Sequence, residues 1–263
     1  LFRFYEIKDR VFGDRISINT NQQSAVKARD LRSNDRVMVG LKKAYETRYA
    51  DGMFLTKRGE VAPGGKDVLK VIDAASMARM LMAWQCQRPN NCANERRLFD
   101  EYYKTIFRTG YPPESMLALQ MWLNAIEAAW PHLNMNNELK ASKMLIKYHV
   151  MYAVSALIAA VNNQTTTVVA PMATLRALTA TDTILPMAAT CVEKAMQTAL
   201  LQTQASGKVF SPQNWLKKND SWQAENLVAS TQASMFSSFQ AGPELIEKMR
   251  APVAAFAPRW AAD

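Results

Sequence analysis

The chain has little from which to build a metal centre or a disulfide framework. Its 263 residues include two histidines and three cysteines. Cys86 and Cys92 flank an Arg-Pro-Asn-Asn stretch and Cys191 stands alone. That spacing fits no zinc knuckle, and an odd count argues against a disulfide set. The reading is structural thiols in a reducing cytoplasm. Glycine is scarce at 9, and β-branched runs are few after the first twenty residues, which excludes an all-β fold. The longest apolar run, Val150–Val161, falls short of the roughly 20 residues that span a bilayer. With no signal peptide either, no membrane association is expected. Lys57-Arg58-Gly59 lacks the upstream glycine of a phosphate loop, so no nucleotide motif and no cofactor are implied. Asp100 and Glu101 are adjacent, point to different faces of a helix, and form no carboxylate pair. His132 and His149 have no nucleophile or acid at a triad-like spacing, and both read as structural.

What is present points to helices. Hydrophobic residues make up 49% of the chain and methionine numbers 15, enough for a core that packs adaptably. Phe2–Ile7 and Arg15–Asn19 alternate as short strands, with Gly13-Asp14 turning between them. Asp35–Arg48 has helical period, with Val37, Leu41 and Tyr45 on one face and Ser33 or Asn34 as its cap. Phe54–Arg58 reads as a short extended piece. Val61–Lys66, with Pro63, Gly64 and Gly65, is the best linker signal. From Asp67 the pattern is helical: Val68–Gln87, Glu95–Arg108 capped by Asn94, Glu114–Trp130, Glu138–Val161, Pro186–Ala205, a short helix after Ser211-Pro212, and Trp222–Phe239. The expected fold is mainly α. A small α+β segment over 1–60 is followed by a linker at 61–66 and an all-α region over 67–263. The opening at Leu1, in mid-strand and not at a methionine, leads us to expect further strands upstream.

One stretch, Ile16–Asp35, concentrates the demanding polar groups. Asn19, Asn21, Gln22 and Gln23 crowd the end of a strand, where their amides can tie down backbone or grip a polar ligand. Lys27, Arg29 and Arg32 add charge, and Lys57 and Arg58 follow. The net charge is +9, and residues 1–60 hold thirteen Lys and Arg against eight Asp and Glu, or +5 of it. Such an imbalance favours an anionic partner, nucleic acid first. Candidate nucleic-acid-binding residues are therefore Asn21, Gln22, Arg29, Arg32, Lys57 and Arg58. The competing reading is structural: amides that satisfy their own loop, and cations paired with Asp30, Asp35 and Glu60. Lys140, Lys143 and Lys147 fall on one helical face and read chiefly as a solvated surface. Trp215 in Phe210–Lys217 can stack on a base or plug the core.

The run T-N-Q-Q-x-x-V-x-A-R-D-L-R-S-N-D at Thr20–Asp35, followed by Tyr49, Gly52 and Lys57–Glu60, resembles the abortive-infection phage-resistance (AIPR) family. The similarity continues through Trp84–Asn90, Glu95–Asp100 and Phe210–Lys217. The resemblance implies a bacterial antiphage protein. Members carry further upstream sequence whose motifs pair with the Thr-Asn-Gln-Gln elbow, which lies beside an active cleft. Nuclease chemistry would then rest on carboxylates upstream of Leu1, and no catalytic residue is assigned within this chain. Two functions stay open. One is a defence protein that engages nucleic acid. The other is an interaction or oligomerisation module that senses a phage component. A nucleic-acid binder should gather Arg29, Arg32, Lys57 and Arg58 on one open face; an interaction module should scatter or pair them.

Overall fold

The computed structural model describes residues 27–162 and 169–238. The predicted strands Phe2–Ile7 and Arg15–Asn19, the amides of Asn21 and Gln22, and most of Thr165–Ala170, which in sequence reads as a link between helices, lie outside the described residues. Among those described there are eleven α-helices and one two-stranded parallel sheet, so the chain is mainly α. Helix α1 (Ala28–Arg32) leads into α2 (Arg36–Arg48), strand β1 (Met53–Leu55) and strand β2 (Val71–Asp73). Then come α3 (Ala74–Trp84), α4 (Glu95–Asp100), α5 (Tyr103–Ile106), α6 (Pro113–Ala129), α7 (Asn137–Ala141) and α8 (Lys143–Val161). A 3₁₀ segment, Pro171–Ala180, precedes α9 (Thr181–Ala205), α10 (Pro212–Leu216) and α11 (Asn219–Ser238).

Local chemistry sets the boundaries. Asp35 caps α2 by accepting from the Val37 N–H at 2.8 Å, where sequence favoured Ser33 or Asn34. Asn94 caps α4 through Arg97 N–H, and Ser211 caps α10 through Asn214 N–H. Helix α3 begins late. Sequence predicts one helix over Val68–Gln87, because Val68, Ile72 and Ala75 keep helical spacing. Val68 is instead 81% exposed, Val71–Asp73 is a strand, and Asp73 caps α3 by accepting from Ala75 and Ser76 N–H. Strand structure is therefore not confined to the first sixty residues. The helix expected over Glu95–Arg108 breaks at Glu101-Tyr102, and that over Glu138–Val161 breaks at Ser142.

Strand β1 pairs with β2 in parallel, Phe54 opposite Ile72, across the exposed turn at 61–66. Phe54, Ile72 and Tyr45 join the same buried cluster as the later helices. Gly52 is needed there for close approach: a Cβ would meet Lys70 O at 3.2 Å and the Tyr45 ring at 3.0 Å.

The centre of the molecule is α8. It is apolar on nearly every face, as a helix buried on all sides must be. By length and composition it could cross a membrane, but 89% of its most apolar window is buried inside the protein. It packs against α3, α6, α9 and α11. Two fully buried tryptophans, Trp84 and Trp122, sit beside each other with ring centroids 6.2 Å apart. Each satisfies its indole N–H, at Val169 O and Thr174 Oγ1 respectively, both at 2.7 Å. These two bonds tie α3 and α6 to the segment that precedes α9.

Candidate nucleic-acid interface

The polar stretch of the sequence meets the fold at α1. Arg29 is only 7% exposed. Its guanidinium donates to Thr56 O, Leu55 O and Lys57 O, each at 3.2 Å, and ion-pairs with Asp73. It therefore clips the carbonyl end of β1 to the cap of α3. Arg32 donates to Phe99 O at 3.2 Å, lies 4.5 Å from the Tyr103 ring centroid and approaches Asp35 at 4.0 Å. Arg58 pairs with Glu95 at 3.1 Å, and Arg79 reaches the other oxygen of that carboxylate at 3.1 Å. Burial pushes the Glu95 carboxyl up, but the two guanidiniums outweigh it and hold it below the usual range. The Arg58 N–H donates to Asp30 at 3.0 Å. Lys57 is exposed.

Arg29, Arg32, Lys57 and Arg58 are thus neighbours, but they do not form one open cationic face. Arg29 is buried, Arg32 is half-buried against α4 and α5, and Lys57 and Arg58 are the exposed members. Arg32 keeps the expected Asp35, but the partners of Arg29 and Arg58 differ from those sequence offered. Asp73 and Glu95 take the roles expected of Asp30 and Glu60, because α3 and α4 fold back over α1.

An open cleft of about 980 Å³ nevertheless lies at this corner. Its charged lining comes from four places: Lys27 and Arg29 at α1, Arg58 after β1, Glu95, Arg96 and Asp100 on α4, and Lys217 after α10. Five cations face two carboxylates, a net of +3. Lys27 and Lys217 are exposed, and neither has an ion-pair partner among the described residues. Sequence spacing gave no sign of Lys217 here, since it is far along the chain from α1.

Two other candidates, Lys147 and Trp215, are drawn into the core. Lys147 is buried and pairs with Glu127 at 2.6 Å, so Lys140, Lys143 and Lys147 do not share a solvated face. Trp215 is 6% exposed and packs on Phe210 with centroids 6.3 Å apart. Cys86, Cys92 and Cys191 are all free thiols. Among the described residues no three His, Cys, Asp or Glu side chains gather in a way that could hold a metal ion.

No curated protein and no solved structure matches this chain. A family match is found for AIPR protein over residues 1–209. It takes in the polar elbow, the sheet, the Arg29 clip and every helix through α8, together with α9. With most of its length inside that match, the chain belongs to the abortive-infection phage-resistance (AIPR) family.

Proposed function

We propose that this chain acts in bacterial abortive-infection defence, in the cytoplasm, by engaging the phosphate backbone of nucleic acid at the cleft beside α1. The observation that carries the reading is the charge of that cleft, five cations against two acids. Backbone phosphates are recognised by positioned cations that need not read sequence. Lys27, Arg58, Arg96 and Lys217 are the contacting groups in this account, with Lys57 at the rim and Asn21 and Gln22 just before Lys27 in the chain. Arg29 and Arg32 hold the cleft wall. One observation favours the other reading, an interaction or homo-oligomerisation module: Arg29, Arg32 and Arg58 already have carboxylate partners in Asp73, Asp35 and Glu95.

A salt titration separates the two. Affinity for mixed-sequence duplex DNA, single-stranded DNA and RNA is measured for the wild type and for Lys27→Ala/Lys217→Ala. Each lost phosphate contact should reduce the slope of log affinity against log salt by about 0.9 on duplex DNA and about 0.7 on single strands. The double variant should therefore lose nearly two units on the duplex. Binding and slope unchanged, with the fold intact, would remove the nucleic-acid reading and leave the interaction module.

A further inference from the structure

A cluster of buried polar groups lies where α8, α10 and α11 meet. His149 and Glu225 are both fully buried. His149 Nδ1 lies 2.7 Å from Glu225 Oε1, and Nε2 lies 3.1 Å from Leu216 O. A carbonyl can only accept, so Nε2 carries a hydrogen. The Nδ1–Oε1 contact then requires a second proton. Without it, an imidazole lone pair would face a carboxylate oxygen at hydrogen-bond distance in a dry core. The proton can sit on either partner, as imidazolium with carboxylate or as imidazole with carboxylic acid. In both cases the docked pair holds one.

We propose that the His149–Glu225 pair is a proton-retaining lock that seats α11 and the end of α10 on the core helix α8, and that makes this docking depend on pH. The surroundings leave the pair to itself. Tyr152 faces it from α8, and its hydroxyl titrates high through burial and the Glu225 charge, with Arg88 opposing. Cys191 faces it from α9, pushed up to about 12 by burial and Glu225, with Lys194 opposing. Arg88, from the loop after α3, stacks on the Trp222 ring at 4.2 Å, and Trp222 stands edge-on to Tyr152 at 6.2 Å. Among the described residues only His149 offsets the burial of Glu225, whose carboxyl is raised on balance. The second carboxyl oxygen of Glu225 has no partner among the described residues.

The direction of the effect follows from counting protons. Free glutamate titrates near about 4.3 and free histidine near about 6.5. Between those values the undocked pair also holds one proton, so docking neither takes up nor releases any, and it is strongest there. Above about pH 6.5 the undocked side chains shed the proton that the docked pair keeps. Docking then weakens about tenfold per pH unit until the pair itself deprotonates. Below about pH 4.3 the undocked pair gains a second proton, and docking weakens again. Leu216 is followed by Lys217 on the cleft wall, so release of the lock would also shift that cation. This last consequence rests on the nucleic-acid reading; the lock itself does not.

Hydrogen exchange on the full chain, from pH 5 to pH 9, tests it. Exchange is corrected for intrinsic rates and α6 serves as internal reference. The opening constant of α11 should be flat to about pH 6.5 and then rise about tenfold per unit, with α6 unaffected. Glu225→Gln supplies an amide N–H to Nδ1 and removes the need for the retained proton. Its α11 should stay docked and lose the rise above pH 6.5. An α11 opening constant that tracks α6 across the whole range in the wild type would overturn the lock. So would a Glu225→Gln variant that keeps the wild-type rise.

Discussion

Arg29 sets its guanidinium where three carbonyls at the end of β1, those of Leu55, Thr56 and Lys57, converge with the Asp73 carboxylate. Such a planar fork suits arginine and not lysine, which has one compact charge. Removing it leaves a carboxylate and several strand-end carbonyls without their donor. Breaking a buried pair this way costs about 3–5 kcal/mol, and the partial exposure of Asp73 puts the expected value near the lower end. Arg29→Ala should therefore lose about 3 kcal/mol, which for a chain of this size lowers the melting temperature by roughly 10 °C. Arg29→Lys should recover little of this, and Lys57→Ala should stay within about 0.5 kcal/mol of the wild type. A thermal melt of Arg29→Ala that overlays the wild type would show that the clip does not hold the fold. The same residue marks a limit of sequence reading. Charge, spacing and a neighbouring amide cluster were visible in Ile16–Asp35. The acceptors that claim Arg29 were not, because two of its partners, Thr56 and Asp73, lie 27 and 44 residues away. Glu225 was hidden for the same reason: it stands 76 residues from His149, and no local pattern links them.

At the scale of elements, the sheet is the least expected feature. Three residue pairs in parallel would be marginal alone, and the exposed flank of β1 invites pairing with another chain. Side chains close that flank. Lys42 donates to Phe54 O at 2.8 Å, Glu46 accepts from Phe54 N–H at 3.1 Å, and Glu60 accepts from the N–H groups of Thr56 and Lys57 at 2.8 and 3.2 Å. Burial raises the Glu60 carboxyl, but the Lys42 ammonium and those two N–H groups outweigh it and hold it below the usual range. A depressed folded pKa means stability that is present above the unfolded value, about 4.3, and is lost as pH falls through the folded one. Glu60→Gln should cost about 1–2 kcal/mol at neutral pH, and its stability curve should converge with that of the wild type in acid. Denaturant titrations at pH 7 and pH 3 measure both. A gap that persists undiminished at pH 3 would show that shape, not charge, makes Glu60 useful. Caps explain which boundaries could be read. Asn94 and Ser211 stand just before clean helical periods and declared themselves. Asp73 was masked because Val71 and Ile72 extend a helical spacing backwards into what is a strand, and the pairing with β1 and the exposure of Val68 separate the two interpretations.

Across the whole molecule, stability should be graded outward from α8. That helix makes its contacts with α3, α6, α9 and α11 at once, while α1, α4 and α10 have six residues or fewer each and border the open cleft. Among the described residues, α8 is also the one element whose composition alone would suit a bilayer, 19 residues with mean hydropathy 1.6 in its best window. The two possibilities predict opposite behaviour in water. A helix sheathed by protein can exchange its amides only when the surrounding packing opens, so its exchange should approach the global unfolding free energy. A helix that needs lipid would expose its apolar faces in plain buffer, exchange quickly, and gain protection when detergent is added. Native-state hydrogen exchange in buffer without detergent should therefore find Ile146–Ile158 the slowest region. Residues in α4 and in the turn at 61–66 should be orders of magnitude faster. Polar groups inside α8 argue for the first outcome. Lys147 reaches Glu127, Ser155 accepts from the Gln87 side-chain amide at 3.4 Å, and His149 joins α10 to α11. Each of these partners is a protein group already in place, so the polar side chains of α8 bind it to its neighbours just as its apolar ones do. Fast α8 exchange, slowed only by detergent, would overturn that account.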